Sequence, residues 1–248
     1  MTIRLLAWNV NHRAARHAIP RCIVDEILEA TPDVLLLSEY VVGQDHDRFC
    51  SDLKNEADLT VSLSPQGYGN QFLLATKGGH KPGSIVGPND IPWVPGNLQH
   101  AKLNGSGVNI IGFRMPAFEK KERHFKRPTW NWLRQQLSTV AALPIIIAGD
   151  FNTAVGDSAQ NCGDCIAMLE ADGWTQVIPT SGYSWCRRAG IAERRIDYAF
   201  ASRLLVVSSC EYSWDFRDKH GVTSQAPGTP DHAMLNIVFE NVSQISAS

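Results

Sequence analysis

The most constraining feature of this sequence is a run of apolar residues that ends abruptly in polar ones. Residues 143–153 read LPIIIAGDFNT. The β-branched run from Ile145 to Ile147 is short enough to be a strand that is buried on both faces. The strand stops at Gly149, where the chain can bend, and Asp150 and Asn152 follow. Gly, Asp and Asn are ordinary turn residues, so the motif gains a functional meaning only if the rest of the chain supplies partners for Asp150.

Composition sets broad limits on the class of protein. The chain has 248 residues, of which 44% are hydrophobic and 19% charged, as in globular proteins with a sizeable core. No linker or shift in composition divides it, so we expect a single domain over residues 1–248. The net charge of −2 gives no general attraction for nucleic acid, so a basic surface must be local.

The same features bear on location. The first residues do not resemble a secretory signal, and no apolar stretch approaches the roughly 18 residues that span a bilayer, so we expect no membrane association. The six cysteines lack the dense spacing of a disulfide scaffold, which favours reduced thiols in a cytoplasmic protein.

Other predicted strands also carry polar side chains at their ends. One strand ends at Asn9, another ends at Glu39, a third begins at Asp197, and His232 precedes the last. Strands outnumber helices, and the helices lie between groups of strands, so we predict two sheets packed together with helices outside. If the strand ends converge on one cleft, the crowded carboxylates need a cation. Oxygen ligands without cysteine favour a hard cation such as Mg²⁺ or Mn²⁺.

Five motifs then occur in an order typical of a known family. They are WNVN at 8–11, LLLSE at 35–39, IIAGDFNT at 146–153, YSWC to RRIDYAFAS at 183–202, and PDH at 230–232. In this order they resemble the motifs of the endonuclease/exonuclease/phosphatase superfamily, the group of DNase I, exonuclease III and the abasic-site endonucleases. The resemblance implies an α/β (α+β) fold, a four-layer αββα sandwich in which two mixed β-sheets pack face to face. It also implies a divalent metal and hydrolysis of a phosphate ester.

The resemblance further implies roles for individual residues. The residues that it assigns to the metal are Glu39, which is the principal carboxylate, Asn9, Asn11 and Asp231. The residues that it assigns to the reaction are Asp150, Asn152, Asp197 and His232. Asp150 would position or deprotonate the attacking water, and Asn152 would hold the phosphate. His232 would contact the scissile phosphate, and Asp197 would orient the imidazole and favour its protonated form.

The sequence departs from the family in one strand. The family usually carries a His or Tyr in the segment that here reads Ile110 to Pro116, and Phe113 or Arg114 takes that place, depending on a one-residue choice of register. Arg114 could hold a phosphate through two hydrogen bonds but is a poor proton donor. Arg194 stands where abasic-site enzymes have an aromatic residue, which disfavours that specificity, although Trp185 lies nearby.

Two basic segments flank the expected cleft. One lies within residues 119–127, before a helix predicted from Pro128 to about Ala141, and the other spans residues 187–195. A charge run is most often a solvated surface. Beside an acidic metal site, however, two such segments favour a polyanionic substrate. The residues predicted to bind substrate are Arg114, Lys121, Arg123, Arg127, Trp185, Arg187, Arg188 and Arg195.

We therefore expect a Mg²⁺-dependent nuclease that hydrolyses DNA or RNA phosphodiester bonds. One alternative is a phosphoesterase for a lipid head group, an inositol phosphate or another small phosphate ester. The other is a non-catalytic nucleic-acid-binding relative, which the Phe113/Arg114 departure motivates. The sequence does not give the oligomeric state.

Overall fold

The structure is a computed structural model that describes residues 1–11, 19–67, 70–117, 122–186, 193–219 and 230–242. Within these ranges the strands, in chain order, are β1 (Thr2–Asn9), β2 (Val34–Tyr40), β3 (Thr60–Leu63), β4 (Gln71–Thr76), β5 (His80–Pro82), β6 (Leu98–Leu103), β7 (Asn109–Arg114), β8 (Ile145–Asp150), β9 (Thr175–Val177), β10 (Trp185–Cys186), β11 (Glu193–Arg194), β12 (Asp197–Ala201), β13 (Leu205–Ser213) and β14 (Met234–Asn241). The helices are α1 (Arg21–Ala30), α2 (His46–Ala57), α3 (Arg123–Val140), α4 (Gly163–Ala171) and the short α5 (Phe216–Lys219).

The strands form two six-stranded mixed sheets and a short ribbon. The first sheet has the order β13-β14-β1-β2-β4-β3, the second has the order β5-β6-β7-β8-β12-β9, and β10 pairs with β11. Each large sheet contains one parallel pair near its centre, β1 with β2 and β7 with β8, while its other pairs are antiparallel. Because parallel strands run the same way, both members of each pair end at the same edge of their sheet.

Three layers of apolar side chains separate four layers of backbone. One lies between the two sheets, one between the first sheet and α1 with α2, and one between the second sheet and α3 with α4. Strand β8 shows how the pattern arises, because Ile145 and Ile147 face the helices while Ile146 and Ala148 face the other sheet. The predicted αββα sandwich is confirmed.

Helix α3 begins earlier than the sequence pattern predicted. It starts at Arg123 rather than at Pro128, and Pro128 lies inside it. Proline removes one backbone donor from a helix, and Trp130, Leu133 and Leu137 hold the remaining turns against the second sheet. None of the described helices is long and apolar enough to cross a lipid bilayer.

Candidate active site

Polar side chains from both sheets meet at one edge of the sandwich. Four strands, β1, β2, β7 and β8, run towards this edge. β12 begins there, because it is antiparallel to β8 and Asp197 lies opposite Asp150. β14 is antiparallel to β1, so the residues that precede it lie at the same edge. The predicted residues that directly contact one another here are Asn9, Asn11, Glu39, Arg114, Asp150, Asn152, Asp197 and His232.

Asp150 accepts three hydrogen bonds within this group. It is 1% exposed. Its Oδ2 accepts hydrogen bonds from Asn9 Nδ2 at 3.0 Å and Asn152 Nδ2 at 2.9 Å, and its Oδ1 accepts the Asn152 backbone N–H at 2.9 Å. The Asn152 amide also donates to the Met115 carbonyl at 3.0 Å. Asn152 therefore orients Asp150 in this structure, and its expected contact with phosphate stays a prediction.

Gly149 lets Asp150 reach this position. Its φ is +146°, and a Cβ at this residue would lie 2.1 Å from the carbonyl oxygen of Phe113 on the neighbouring strand. Glycine is therefore required for β8 to lie against β7 at the point where the carboxylate turns into the cleft.

The proton affinity of Asp150 is tuned towards neutral pH. Burial, followed by the negative charge of Asp197, raises the pKa of Asp150 to about 6, although His232 and Arg114 act in the opposite direction. A carboxylate with such a pKa can accept a proton from water near neutrality, which is the property that a general base needs.

His232 is buried and paired with Asp197. Its Nδ1 lies 2.7 Å from Asp197 Oδ2, and Trp8 Nε1 donates to its backbone carbonyl at 3.0 Å. Burial alone would lower the pKa of His232, but the charge and hydrogen bond of Asp197 outweigh it and raise that pKa to about 10. The imidazole is therefore protonated at neutral pH. Its Nε2 lies 3.4 Å from Asn9 Nδ2, and because both are then donors, the Nε2 proton is left for another acceptor.

The backbone around Asp197 fixes this pair. Ser184 Oγ accepts the backbone N–H groups of Ile196 at 2.9 Å and Asp197 at 3.0 Å. The Tyr212 hydroxyl donates to the Asp197 carbonyl at 2.6 Å. Ser184 and Tyr212 were not predicted as parts of the site, because their contacts are long-range and leave no local sequence signal.

The structure resolves the register of β7. Phe113 is buried in the apolar layer beside α3, and Arg114 turns into the site. Arg114 is 4% exposed, and its Nη2 lies 2.6 Å from Glu39 Oε1. Burial would lower the pKa of Arg114, but the charges of Glu39, Asp150 and Glu122 raise it, so the guanidinium is charged. Arg114 therefore brings a fixed positive charge to this edge of the sandwich. We call it the acidic edge, and its residues are Asn9, Asn11, Glu39, Asp150, Asn152, Asp197, Asp231 and His232.

The chemistry of the site fits a hard cation. Ligand atoms of Asp150, Asp197 and His232 lie within 4.8 Å of one another, so these residues form a group that could hold a metal ion. Burial and the negative charge of Asp197 raise the pKa of Asp150, and a cation beside these carboxylates would act in the opposite direction. Because the protonated His232 has no lone pair to give, carboxylate and amide oxygens are the suitable donors.

The residues that the family resemblance assigns to the metal each have a different environment in the structure. Glu39 has a φ of +54° and is ion-paired with Arg114. Asn9 Oδ1 accepts the Asn11 backbone N–H at 3.0 Å, which holds the turn after β1. Asp231 is half-buried, and its charge contributes to the raised pKa of His232. Their role as ligands stays a prediction.

Several predicted substrate-binding residues have protein partners. Arg127 lies on α3 and pairs with Asp164 of α4, with Nη1 2.7 Å from Oδ2. Arg195 donates to the carbonyls of Gly182 at 2.8 Å and Pro179 at 3.3 Å. Their expected contacts with substrate would have to compete with these partners.

The other predicted substrate-binding residues fall into two groups. Trp185 forms a β-bridge with His232 and so lies beside the site, while Arg123 is exposed at the start of α3. Lys121, Arg187 and Arg188 lie outside the described residues. Arg194, which replaces an aromatic residue of abasic-site enzymes, is ion-paired with Asp157.

Lys126 is a buried basic residue that sequence reasoning missed. It is 1% exposed, and its Nζ donates to the Asn152 carbonyl and to Asn161 Oδ1, both at 2.6 Å. Burial is the main cause that lowers its pKa to about 8. Lys126 thus holds the turn that carries Asn152. Its spacing of four and seven residues from Trp130 and Leu133 was a signal that it lies on the buried face of α3.

Comparison with known proteins agrees with this architecture. Among solved structures, an AP endonuclease from Archaeoglobus fulgidus is 17% identical and has a TM-score of 0.72, with 96% of this chain and 99% of that chain covered. A 3'-5' exonuclease, NExo, from Neisseria meningitidis is 18% identical and has a TM-score of 0.73 with the same coverage. The values are also 18%, 0.73, 96% and 99% for the 3' phosphatase NExo from Neisseria bound to a product DNA hairpin. These likenesses show the fold.

Sequence comparison identifies the family. No curated protein sequence matches the chain. The model of the Endonuclease/Exonuclease/phosphatase family matches residues 6–230. This match takes in every strand from β2 to β13 and all the residues of the acidic edge except His232 and Asp231. The chain therefore belongs to the endonuclease/exonuclease/phosphatase family and is a phosphoesterase of that family.

Proposed function

We propose that this phosphoesterase is a divalent-metal-dependent nuclease that hydrolyses DNA or RNA phosphodiester bonds by in-line attack of an activated water. The observation that carries the proposal is a base and an acid held within one buried cluster. Asp150 has a pKa of about 6 and can accept a proton from water, while His232 has a pKa of about 10 and keeps an Nε2 proton to donate. Attack on a phosphate needs both properties.

Each residue then has a defined task. Asp150 orients the attacking water and takes its proton. His232 donates a hydrogen bond to a phosphate oxygen, and Asp197 keeps the imidazole oriented and charged. Arg114 adds a second positive charge that can contact the phosphate. No neutral acid stands beside the leaving oxygen in this assignment, because a guanidinium is a poor proton donor.

The cation would be Mg²⁺ or Mn²⁺, held by Glu39 with help from Asn9, Asn11 and Asp231. When bound, it offsets the negative charge of the phosphate and of the leaving oxygen. The buried carboxylates of the site support this assignment, because they bring oxygen donors to one place, and such donors suit a hard cation.

Nucleic acid is the substrate that we favour. A solved structure with the same fold, the 3' phosphatase NExo, has a product DNA hairpin bound. In this chain, Trp185 forms a backbone bridge with His232 and is only partly buried, and we expect its indole to stack on a base of the substrate. Arg123 and the basic residues of the segments 118–121 and 187–192 would add contacts with the phosphate backbone.

One observation favours a second candidate, the non-catalytic nucleic-acid-binding relative. The Glu39–Arg114 ion pair engages the carboxylate that the family uses for its metal. Such a protein would bind nucleic acid in a salt-dependent manner and show no metal-dependent turnover.

Cleavage assays separate these candidates. The protein is incubated with single- and double-stranded DNA, RNA, abasic DNA and a small phosphodiester, each with Mg²⁺, Mn²⁺ or EDTA. We expect cleavage of a nucleic acid that EDTA abolishes. We also expect Asp150→Asn and His232→Ala each to reduce the rate by at least about a hundredfold, the usual contribution of an acid or base. Asp172→Asn is the matched control, because Asp172 pairs with Arg134 on the surface.

The other outcomes are equally informative. Cleavage that persists in EDTA or in Asp150→Asn would overturn the mechanism. Cleavage of the small ester alone would replace the nuclease with a small-molecule phosphoesterase, and binding without turnover would support the non-catalytic relative.

A further inference from the structure

Three carboxylates surround one buried guanidinium at the acidic edge. Arg114 Nη2 lies 2.6 Å from Glu39 Oε1, Nε lies 3.6 Å from Asp150 Oδ2, and Nη1 lies 3.9 Å from Glu122 Oε2. The side chain of Arg114 is 5% exposed and that of Asp150 is 1% exposed. Glu39 lies at the end of β2, Asp150 at the end of β8 and Glu122 just before α3. Three separate parts of the fold therefore place a carboxylate beside the guanidinium.

This arrangement gives the site a positive charge of its own. Buried carboxylates repel one another unless a cation compensates them. Arg114 supplies that compensation without any bound ion. Its closest contact is Glu39, the carboxylate that is assigned to the metal in the proposed function. A cation that binds Glu39 must therefore share that carboxylate with a guanidinium or displace it.

The guanidinium of Arg114 also has buried N–H groups that make no hydrogen bond to the described residues. Within the described part of the chain, Arg114 Nε and Nη1 are buried and make no hydrogen bond. The Trp93 ring lies 5.0 Å from the guanidinium carbon, and Trp93 Nε1 donates to the Arg114 carbonyl at 3.2 Å, which fixes the backbone of this residue. Buried N–H groups without acceptors are costly, so a ligand with several acceptor oxygens would be favoured here.

We propose that Arg114 is a built-in counter-cation that exchanges partners: a divalent ion takes Glu39 from the guanidinium, and the released guanidinium takes oxygens of the substrate phosphate. The inference rests on the proposed function in that it uses the same metal site. It adds that metal and phosphate bind cooperatively. The metal frees the guanidinium of Arg114 for phosphate, and phosphate replaces Glu39 as the partner of the guanidinium. Metal alone has to break an ion pair, whereas metal with phosphate leaves every charge paired.

Mn²⁺ binding tests the exchange without any measurement of catalysis. Free Mn²⁺ is quantified by its EPR signal during titration of wild-type protein, Arg114→Gln, Glu39→Gln and the control Arg134→Gln, which removes the surface ion pair with Asp172. Removal of the competing charge in Arg114→Gln should tighten Mn²⁺ binding by about tenfold or more, the factor that 1.4 kcal/mol represents. Arg134→Gln should bind as wild type, and Glu39→Gln should lose the site. Unchanged or weaker binding by Arg114→Gln would overturn the exchange.

Inorganic phosphate tests the second half of the proposal. Phosphate should tighten Mn²⁺ binding to the wild-type protein and should leave the affinity of Arg114→Gln almost unaltered. An equal effect of phosphate on both proteins would show that Arg114 takes no part in the coupling.

A variant that keeps the positive charge at position 114 allows the test to be made even if Arg114→Gln does not fold. Arg114→Gln leaves buried carboxylates uncompensated, so its melting temperature without metal should fall, and Mn²⁺ should raise it more than it raises that of wild type. If Arg114→Gln does not fold, Arg114→Lys serves instead. It retains the competing positive charge but lacks the planar pair of donors that a guanidinium offers to phosphate, so phosphate should tighten Mn²⁺ binding to Arg114→Lys less than to wild type. An equal effect of phosphate on Arg114→Lys and on wild type would then refute the proposal.

The outcome is separable from that of the proposed function. A protein that cleaves no nucleic acid but shows the gain in Arg114→Gln would refute the nuclease and support the exchange. A protein that cleaves nucleic acid without this gain would refute the exchange alone.

Discussion

The buried pair of Asp197 and His232 makes folding stability depend on pH in a window that can be worked out. The pKa of His232 is raised from the ordinary value of 6.5 to about 10 in the folded protein. The folded state therefore binds this proton more tightly than the unfolded state. The resulting stabilisation is complete below pH 6.5 and is lost as the pH rises towards 10. Asp150, whose pKa is raised to about 6, makes its own contribution below that window.

The size of the effect follows from the same shift. Between the pKa of His232 in the unfolded chain and its pKa in the folded protein, only the folded state binds this proton. The free energy of unfolding then falls by about 1.4 kcal/mol for each unit that the pH rises. Between pH 6.5 and about 8.5 the contribution of His232 should therefore fall by about 2 kcal/mol. Thiols of the unfolded chain have a pKa of about 8.5 and also titrate near this upper limit, so the effect of His232 has to be measured as a difference between two proteins.

Substitution of Asp197 by Asn isolates this contribution. Asp197 supplies the two largest causes that raise the pKa of His232, so most of the pH dependence from this group should disappear without the carboxylate. The unfolding free energies of wild type and Asp197→Asn are measured by urea denaturation with tryptophan fluorescence, in EDTA, across the window. The difference between the two proteins should shrink by about 2 kcal/mol as the pH rises. Titrating groups away from this cluster cancel in this difference, and the pKa of Asp150, which Asp197 also raises, lies below the window. A difference that does not vary with pH would refute the charged imidazole.

Three further substitutions test the packing around the site by urea denaturation. Gly149→Ala should lower the unfolding free energy by about 3 kcal/mol through backbone strain and a clash with the neighbouring carbonyl. Gly156→Ala has a positive φ but open space, so it should cost about 1 kcal/mol, and equal losses would disprove the clash. Phe151→Ala should cost about 3–5 kcal/mol, because its ring stacks on a buried tyrosine at a centroid distance of 4.6 Å, and a loss near zero would mean that the layer repacks. Lys126→Met should cost about 2 kcal/mol, since it leaves two partly buried oxygens without their donor, whereas the exposed Lys102→Met should be neutral.

Some features of the fold and site were predictable because their signals are local. The β-branched run in β8 indicated a strand buried on both faces, and its two faces do lie in different apolar layers. Polar side chains after apolar strands indicated a shared edge. Asp150, Asp197 and His232 meet there because the directions of β8, β12 and β14 require it.

Other features were not predictable because they depend on distances between the sheets or on the partners of single charges. Glu39 and Arg114 belong to different sheets, and no periodicity in either strand states that their side chains touch. A charge run typically indicates a solvated surface, yet the one before Pro128 contains the first turn of α3 and the buried Lys126. The charge of this run does not show which of its basic residues are buried or paired. In the structure Lys126 is buried, and Arg127 forms an ion pair with Asp164.

The position of β14 has a consequence for how the protein is made. This strand lies in the first sheet between β13 and β1, so that residue 232 comes to rest beside residue 9. A chain synthesised only as far as β13 lacks both the imidazole and the strand that completes the pairing of β1. Contacts between such distant parts of a chain form slowly. The phosphoesterase site is therefore incomplete until β14 has been synthesised and has docked beside β1.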